Sequence, residues 1–173
     1  MKFKRNELSK NDVEVMSEKI FFNLKNILDC NSRFFVYVSF SNEAKTDKII
    51  EYLLLNNKEV FVPKIKNQTM VGVKINKNTN YKINSFGILE PSEKSTNFDN
   101  FVAIVPCLMV DKFGNRLGYG KGFYDKFLKN KTAKKIAICF DFQLSDFVPN
   151  EKHDIKMDMV ITDKQIIETS LKK

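Results

Sequence analysis

The sequence predicts an α/β fold built on a mostly parallel central sheet. Residues 101–105 (FVAIV) are continuously apolar over a strand's length, and 135–140 (KIAICF) are apolar after Lys135, the pattern of buried strands. Segments of helical spacing fall between such runs, and alternating strand and helix is the signature of a parallel sheet flanked by helices. The 173 residues are expected to form a single domain, 1–173, with a substantial core, and a hydrophobic content of 43% excludes disorder by composition.

The elements follow in order. Residues 9–29 read as a helix: Ser9 is placed as N-cap with Asp12 three residues on, and Val13, Met16, Ile20, Leu24 and Ile27 keep helical spacing. Residues 33–40 (RFFVYVSF) are β-branched and aromatic, a buried strand. Thr46 is placed as cap of a second helix through Ile49, Ile50, Leu53 and Leu54 that fades at Asn56 and Asn57. Val60 to Val62 is a short strand stopped by Pro63, and residues 70–75 alternate weakly as another. Residues 76–94, rich in Asn, Lys, Ser and Pro, read as loop. The strand at 101–105 stops at Pro106, a glycine-rich loop follows, and a helix starts at Phe123. Residues 159–161 form a last strand, and the tail to Lys173 is expected to be a short helix.

Composition narrows the class of function. No apolar run approaches the roughly 18 residues of a membrane span, and the charged N-terminus leads into no signal-type apolar stretch. A soluble cytoplasmic protein is expected. Cys30, Cys107 and Cys139 are widely spaced without a CxxC, as ordinary core residues of a reducing compartment are. The net charge of +8 comes from lysines spread singly along the chain rather than from a dense patch. Such a surface is either simply solvated or suited to small anionic partners, and it does not have the basic-aromatic clustering of a nucleic-acid binder.

The glycine-rich loop carries the most chemistry. Four of the six glycines lie between Gly114 and Gly122, in the run Arg116-Leu117-Gly118-Tyr119-Gly120-Lys121-Gly122-Phe123-Tyr124-Asp125. Glycine is the residue that loses most backbone freedom on folding, so such a loop suits a ligand that needs close approach to backbone N–H groups. The spacing is neither the GK[ST] phosphate loop nor the dinucleotide fingerprint. Arg116 offers a planar fork for phosphate and Lys121 a point charge. Asp125, at the start of a helix, is a carboxylate of the kind that holds Mg²⁺ beside substrate phosphates. Tyr119 is either a stacking surface for a heteroaromatic ring or a loop anchor, and Tyr124 reads as a core anchor. Asp154, in His153-Asp154-Ile155-Lys156-Met157-Asp158, reads as part of a charged turn, with a metal shared with Asp125 as the alternative. Glu43 follows the strand at 33–40 and is either a solvated loop residue or an acceptor for the N–H groups of a pterin-like or purine-like ring.

Taken together, Val105-Pro106-Cys107-Leu108, Asp111-Lys112 and the run from Gly114 to Asp125 closely resemble the signature of the 5-formyltetrahydrofolate cyclo-ligase (5,10-methenyltetrahydrofolate synthetase) family. Ser39 to Glu43 with Thr46, Val62-Pro63-Lys64, Gly87-Ile88-Leu89-Glu90-Pro91 and the stretch from Val148-Pro149 to Ile161-Thr162 agree in order. The resemblance implies a single-domain, Rossmann-like three-layer sandwich and a ligase that uses ATP and Mg²⁺ to convert 5-formyltetrahydrofolate to 5,10-methenyltetrahydrofolate, ADP and phosphate. It places Arg116, Leu117, Gly118, Tyr119, Gly120, Lys121, Gly122, Phe123 and Tyr124 on the nucleotide, with Arg116 and Lys121 catalytic. Tyr119 to Phe123, with Val38 and Glu43, would contact the folate, and Asp125 and Asp154 would hold the metal. The family's N-terminal helix carries a basic K-x-x-L-R element; here Lys2, Lys4 and Arg5 are the residues expected to stand for it. The implied partners are the two small molecules, the folate with or without a polyglutamate tail, acting on a monomer with neither nucleic acid nor membrane. A non-catalytic folate- or nucleotide-binding relative and a basic RNA-binding module are the alternatives.

Overall fold

The computed structural model describes residues 2–84 and 87–169, Lys2 in its backbone only. The helices are α1 (Lys2–Asn6), α2 (Lys10–Cys30), α3 (Asp47–Leu55) and α4 (Phe123–Leu128). The strands are β1 (Arg33–Val36), β2 (Glu59–Lys66), β3 (Thr69–Ile75), β4 (Tyr81–Ile83), β5 (Leu89–Pro91), β6 (Phe101–Pro106), β7 (Met109–Asp111), β8 (Arg116–Leu117), β9 (Ala133–Ile138), β10 (Leu144–Ser145), β11 (Met159–Ile161) and β12 (Ile166–Glu168).

The main sheet has seven strands in the order β12-β11-β9-β6-β1-β2-β3. The inner five are parallel, and β12 and β3 pair antiparallel at the two edges. Numbered among themselves, those five stand in the order 2-1-3-4-5, a doubly wound arrangement whose direction of winding reverses between β1 and β6. In such sheets ligands bind outside the carboxyl ends of the strands at that reversal. The segments leaving β1 and β6 are the Glu43 loop and the approach to the glycine loop.

Alternation along the strands explains the two layers of core. Phe34, Val36, Val102 and Ile104 face α2 and α3, where Ile20, Leu24, Leu28, Ile49 and Leu53 cover them. Phe35, Ala103 and Val105 face the other way, onto Phe61, Phe98, Phe101, Leu128 and Phe127 of the α4 side. There Phe61 and Phe98 stack at 3.8 Å between ring centroids, in space left open by the absent side chain of Gly72. The strand at 101–105 is thus covered on both faces, as its unbroken apolar run predicts.

The helix beginning after Ser9 forms with the expected capping box, Ser9 accepting from the Asp12 N–H and the Asp12 carboxylate from the Ser9 N–H. Other expectations are corrected. The strand expected over 33–40 ends at Val36, because Thr46 Oγ1 donates to the Tyr37 carbonyl at 2.7 Å and accepts from the Ser39 N–H, replacing the ladder with a side-chain tie. Thr46 is therefore occupied and makes no side-chain cap to α3. Pro63 does not stop β2: the Ile65 N–H, two residues on and so on the same side, donates to Glu90 rather than to β3, and the donor that Pro63 lacks faces away from the β3 ladder. The span expected to be loop, 76–94, contains the β4–β5 hairpin. The tail is no helix where it is described: Thr162 N–H bonds the Gln165 carbonyl, the chain reverses, and β12 pairs antiparallel with β11. Residues 170–173 lie outside the described residues. Among the described residues no helix is long and apolar enough to cross a membrane.

Candidate functional site

The Glu43 loop is built by hydrogen bonds that bend the chain back on itself after β1. The buried Tyr37 hydroxyl donates to the Ala44 carbonyl at 2.6 Å, and the Glu43 N–H donates to the Phe40 carbonyl. One Glu43 oxygen, Oε2, accepts from the Phe40 N–H at 2.9 Å. Ser41 takes a left-handed conformation to allow the turn. Glu43 thereby lies buried at the carboxyl end of β1 rather than solvated, which its local sequence leaves open. Val38, partly buried beside the α2–α3 core, precedes this loop.

The glycine loop starts from β6 through a turn pinned by Asp111. This carboxylate, with no solvent exposure, accepts from the N–H groups of Phe113, Asn115 and Val148 and from the Asn115 side chain. Gly114 completes the turn with φ of +83°, and the Met157 carbonyl occupies the place a side chain would take. β8 then delivers Arg116, whose Nη1 donates to the Pro106 carbonyl at 3.2 Å and whose Nη2 pairs with Asp125 at 3.2 Å. Its guanidinium lies 5.5 Å from the Tyr124 ring centroid and fills the space beside Gly118, where a Cβ would strike it.

Beyond Leu117 the loop opens. Gly120 and Gly122 have positive φ, and nothing lies within 4 Å of the position a Gly120 side chain would take. Among the described residues no backbone N–H from Gly118 to Gly122 donates to a protein acceptor. Lys121 is exposed and makes no ion pair among the described residues. Phe123 begins α4 and is partly buried; Tyr124 packs edge-on against Phe35, an anchor whose burial pushes its hydroxyl pKa well above the ordinary value. Asp125 Oδ1 also accepts from the Ile155 N–H at 3.2 Å, which brings Asp154, the preceding residue, to the same end of the loop. The Asp154 carboxylate accepts from the Glu151 N–H at 2.8 Å and is about one-third exposed.

Tyr119 joins the two loops. Its hydroxyl donates to Glu43 Oε1 at 2.5 Å and accepts from Arg5 Nη1 at 2.8 Å. Burial, then the charge of Glu43, raises the Tyr119 pKa well above the usual phenol value, so the hydroxyl keeps its proton at neutral pH. Arg5, expected at the nucleotide, is buried against the glycine loop, while Lys4 is exposed and the Lys2 side chain lies outside the described residues. The motif leaves Asp111 without a role, although an Asp three residues before a Gly-Asn pair favours side-chain-to-backbone turns. Among the described residues no cluster of three or more His, Cys, Asp or Glu forms a metal cage.

Known proteins match most of this chain. The profile of the 5-formyltetrahydrofolate cyclo-ligase family matches residues 1–163. A 5-formyltetrahydrofolate cyclo-ligase of Haemophilus influenzae is 31% identical over 132 residues, covering 70% of this chain and 71% of its own. One of Mycoplasma genitalium is 31% identical over 129 residues, covering 73% and 69%. Among solved structures, 5,10-methenyltetrahydrofolate synthetase of Aquifex aeolicus superposes with a TM-score of 0.85 at 27% identity, over 99% of this chain and 90% of its own. The synthetase of Mycoplasma pneumoniae gives a TM-score of 0.73 at 25% identity, over 92% of each. A shared fold, a family profile that covers the glycine loop and its flanks, and relatives aligned along most of their length agree, and the chain belongs to the 5-formyltetrahydrofolate cyclo-ligase family of ligases.

Proposed function

We propose that residues 1–173 act as one cytoplasmic, monomeric domain that converts 5-formyltetrahydrofolate to 5,10-methenyltetrahydrofolate, using ATP and Mg²⁺ and releasing ADP and phosphate. The observation that carries this reading is the set of backbone N–H groups from Gly118 to Gly122 without acceptors among the described residues, following the Arg116 fork and including Lys121, which makes no ion pair among those residues. Such a surface suits phosphate oxygens and has no other evident use. Lys2, Lys4 and Arg5 are assigned to the nucleotide side of the loop. Val38, Glu43 and the segment from Tyr119 to Phe123 are assigned to the folate, the Glu43 carboxylate accepting from its ring N–H groups.

The chemistry follows from the substrate. A formyl amide is a weak electrophile whose oxygen is a poor leaving group. Transfer of the terminal phosphoryl group of ATP to that oxygen breaks the bond to ADP and makes the oxygen a phosphate ester. The N10 lone pair then attacks the formyl carbon, the C–O bond breaks, and phosphate departs with the former formyl oxygen. N10 loses its proton as the methenyl bridge forms. No protein nucleophile is required, and the chain's part is to align the two substrates and to stabilise negative charge on the moving phosphoryl group through Arg116, Lys121 and the loop amides. Asp125 and Asp154 fit Mg²⁺, which takes one or two carboxylates and fills its remaining positions with phosphate oxygens and water. When bound, the ion would neutralise charge on those phosphates.

Mixing the protein with 5-formyltetrahydrofolate, Mg²⁺ and ATP tests this directly: the near-ultraviolet absorbance of the methenyl product should rise, and omission of ATP should abolish the rise. Folate binding with no ATP-dependent turnover would overturn it.

A further inference from the structure

Three residues distant in sequence meet at the centre of the site. The Tyr119 hydroxyl bridges Glu43 Oε1, at 2.5 Å, and Arg5 Nη1, at 2.8 Å. Arg5 is 4% exposed, its Nε has no hydrogen-bond partner among the described residues, and its guanidinium lies 5.9 Å from the Tyr119 ring centroid. The Asn42 side chain donates to the Arg5 carbonyl at 3.2 Å, so α1 is tied to both the Glu43 loop and the glycine loop. Glu43 is 8% exposed; its other oxygen is engaged by the Phe40 N–H, and the Tyr119 hydroxyl holds the oxygen facing the glycine loop.

We propose that Tyr119 is a latch displaced by substrate: donors on the folate ring take the Glu43 oxygen that Tyr119 now holds, and the release of Tyr119 frees both the glycine loop and Arg5 to receive the nucleotide. The proposal rests on the folate and nucleotide assignments of the proposed function. Its physical basis is the accounting of donors and acceptors. A buried guanidinium with an orphan Nε and one neutral acceptor is under-satisfied, and it loses part of even that arrangement when the Tyr119 hydroxyl leaves Glu43. Phosphate suits it by charge, and two of its oxygens can accept together from the planar guanidinium fork. Each substrate therefore removes an obstacle to the other. Coupling between two binding sites is reciprocal: if the folate tightens the nucleotide by some factor, the nucleotide tightens the folate by the same factor.

The test is a binding cycle by calorimetry with 5-formyltetrahydrofolate and a non-hydrolysable ATP analogue. The wild-type chain is expected to bind each ligand about tenfold more tightly in the presence of the other, within the range usual for coupled sites. Tyr119→Phe keeps the ring and deletes the hydroxyl. It should bind the folate alone more tightly than the wild type does, and its coupling factor should fall toward one. Coupling unchanged in Tyr119→Phe, or weaker folate binding by that variant alone, overturns the latch. A wild-type chain that binds both ligands without coupling overturns the latch and leaves the proposed function standing. One that binds neither overturns both.

Discussion

Arg116 and Asp125 stand at the two ends of the glycine loop and are joined across it, Nη2 lying 3.3 Å from Oδ1 and 3.2 Å from Oδ2. Their side chains are 5% and 17% exposed, so the pair is largely removed from water. Removing one partner of such a pair strands the other charge. The pairing also pre-positions two groups of opposite sign, one for phosphate and one for a cation, before either ligand arrives.

Asp125→Asn keeps the size of the side chain and removes its charge. Turnover is expected to fall by about 100-fold, the usual scale for losing one group that stabilises developing charge, and the Mg²⁺ concentration for half-maximal rate should rise. Initial rates over a Mg²⁺ series check this. A wild-type rate and wild-type Mg²⁺ dependence would remove Asp125 from the metal.

Arg116→Lys retains the charge and loses the fork that reaches Asp125 and the Pro106 carbonyl together. Turnover should again drop by about 100-fold. Folate affinity measured without nucleotide should stay close to that of the wild type, because Arg116 has no contact with the Glu43 loop among the described residues. Equal losses in both measurements would point to a collapsed loop instead of a missing phosphate contact.

Two glycines with positive φ should respond differently to alanine. At Gly120 the space is open, and only backbone strain opposes the change, about 1–2 kcal/mol. At Gly114 the same strain is joined by collision with the Met157 carbonyl and the Thr169 hydroxyl, adding about 1–3 kcal/mol. Urea unfolding of both variants is the check. A Gly114→Ala protein no less stable than Gly120→Ala would contradict the tight packing of the turn.

Asp141 gives stability a dependence on pH at the far edge of the sheet. Hydrogen bonds from the Gln165 amide and the Thr162 hydroxyl, with the Lys164 ammonium at 3.6 Å, hold its pKa below the ordinary value of 3.8, the Gln165 bond being the largest cause. A carboxylate whose pKa is lower in the folded state contributes stability above its unfolded pKa and loses it as pH falls through the folded value. Asp141→Asn should therefore lower stability at neutral pH and flatten its decline below about pH 4. Unfolding midpoints at pH 7 and at successive pH values below 4 would show this, and a decline as steep as that of the wild type would exclude Asp141 as a contributor.

What the sequence made legible was whatever local pattern decides. The 101–105 strand was readable because both faces of β6 are covered and every residue is apolar. The start of α2 was readable because a capping box is written in four consecutive residues. Pro63 misled because the cost of a proline depends on which side of a strand its missing donor faces, and that is set by β3 and Glu90. Thr46 misled because its hydroxyl serves the end of β1 rather than the start of α3. The glycine loop was visible as a motif, but its link to Arg5 and Glu43 was not. Those partners lie 114 and 76 residues from Tyr119 and meet through the order of the parallel strands.

The central claim is that ATP turns the formyl oxygen into a leaving group within the glycine loop. Turnover of 5-formyltetrahydrofolate labelled with ¹⁸O in the formyl group tests it most directly, by mass analysis of the phosphate released. Phosphate carrying the label is the predicted result. Methenyl product accompanied by unlabelled phosphate would contradict the account.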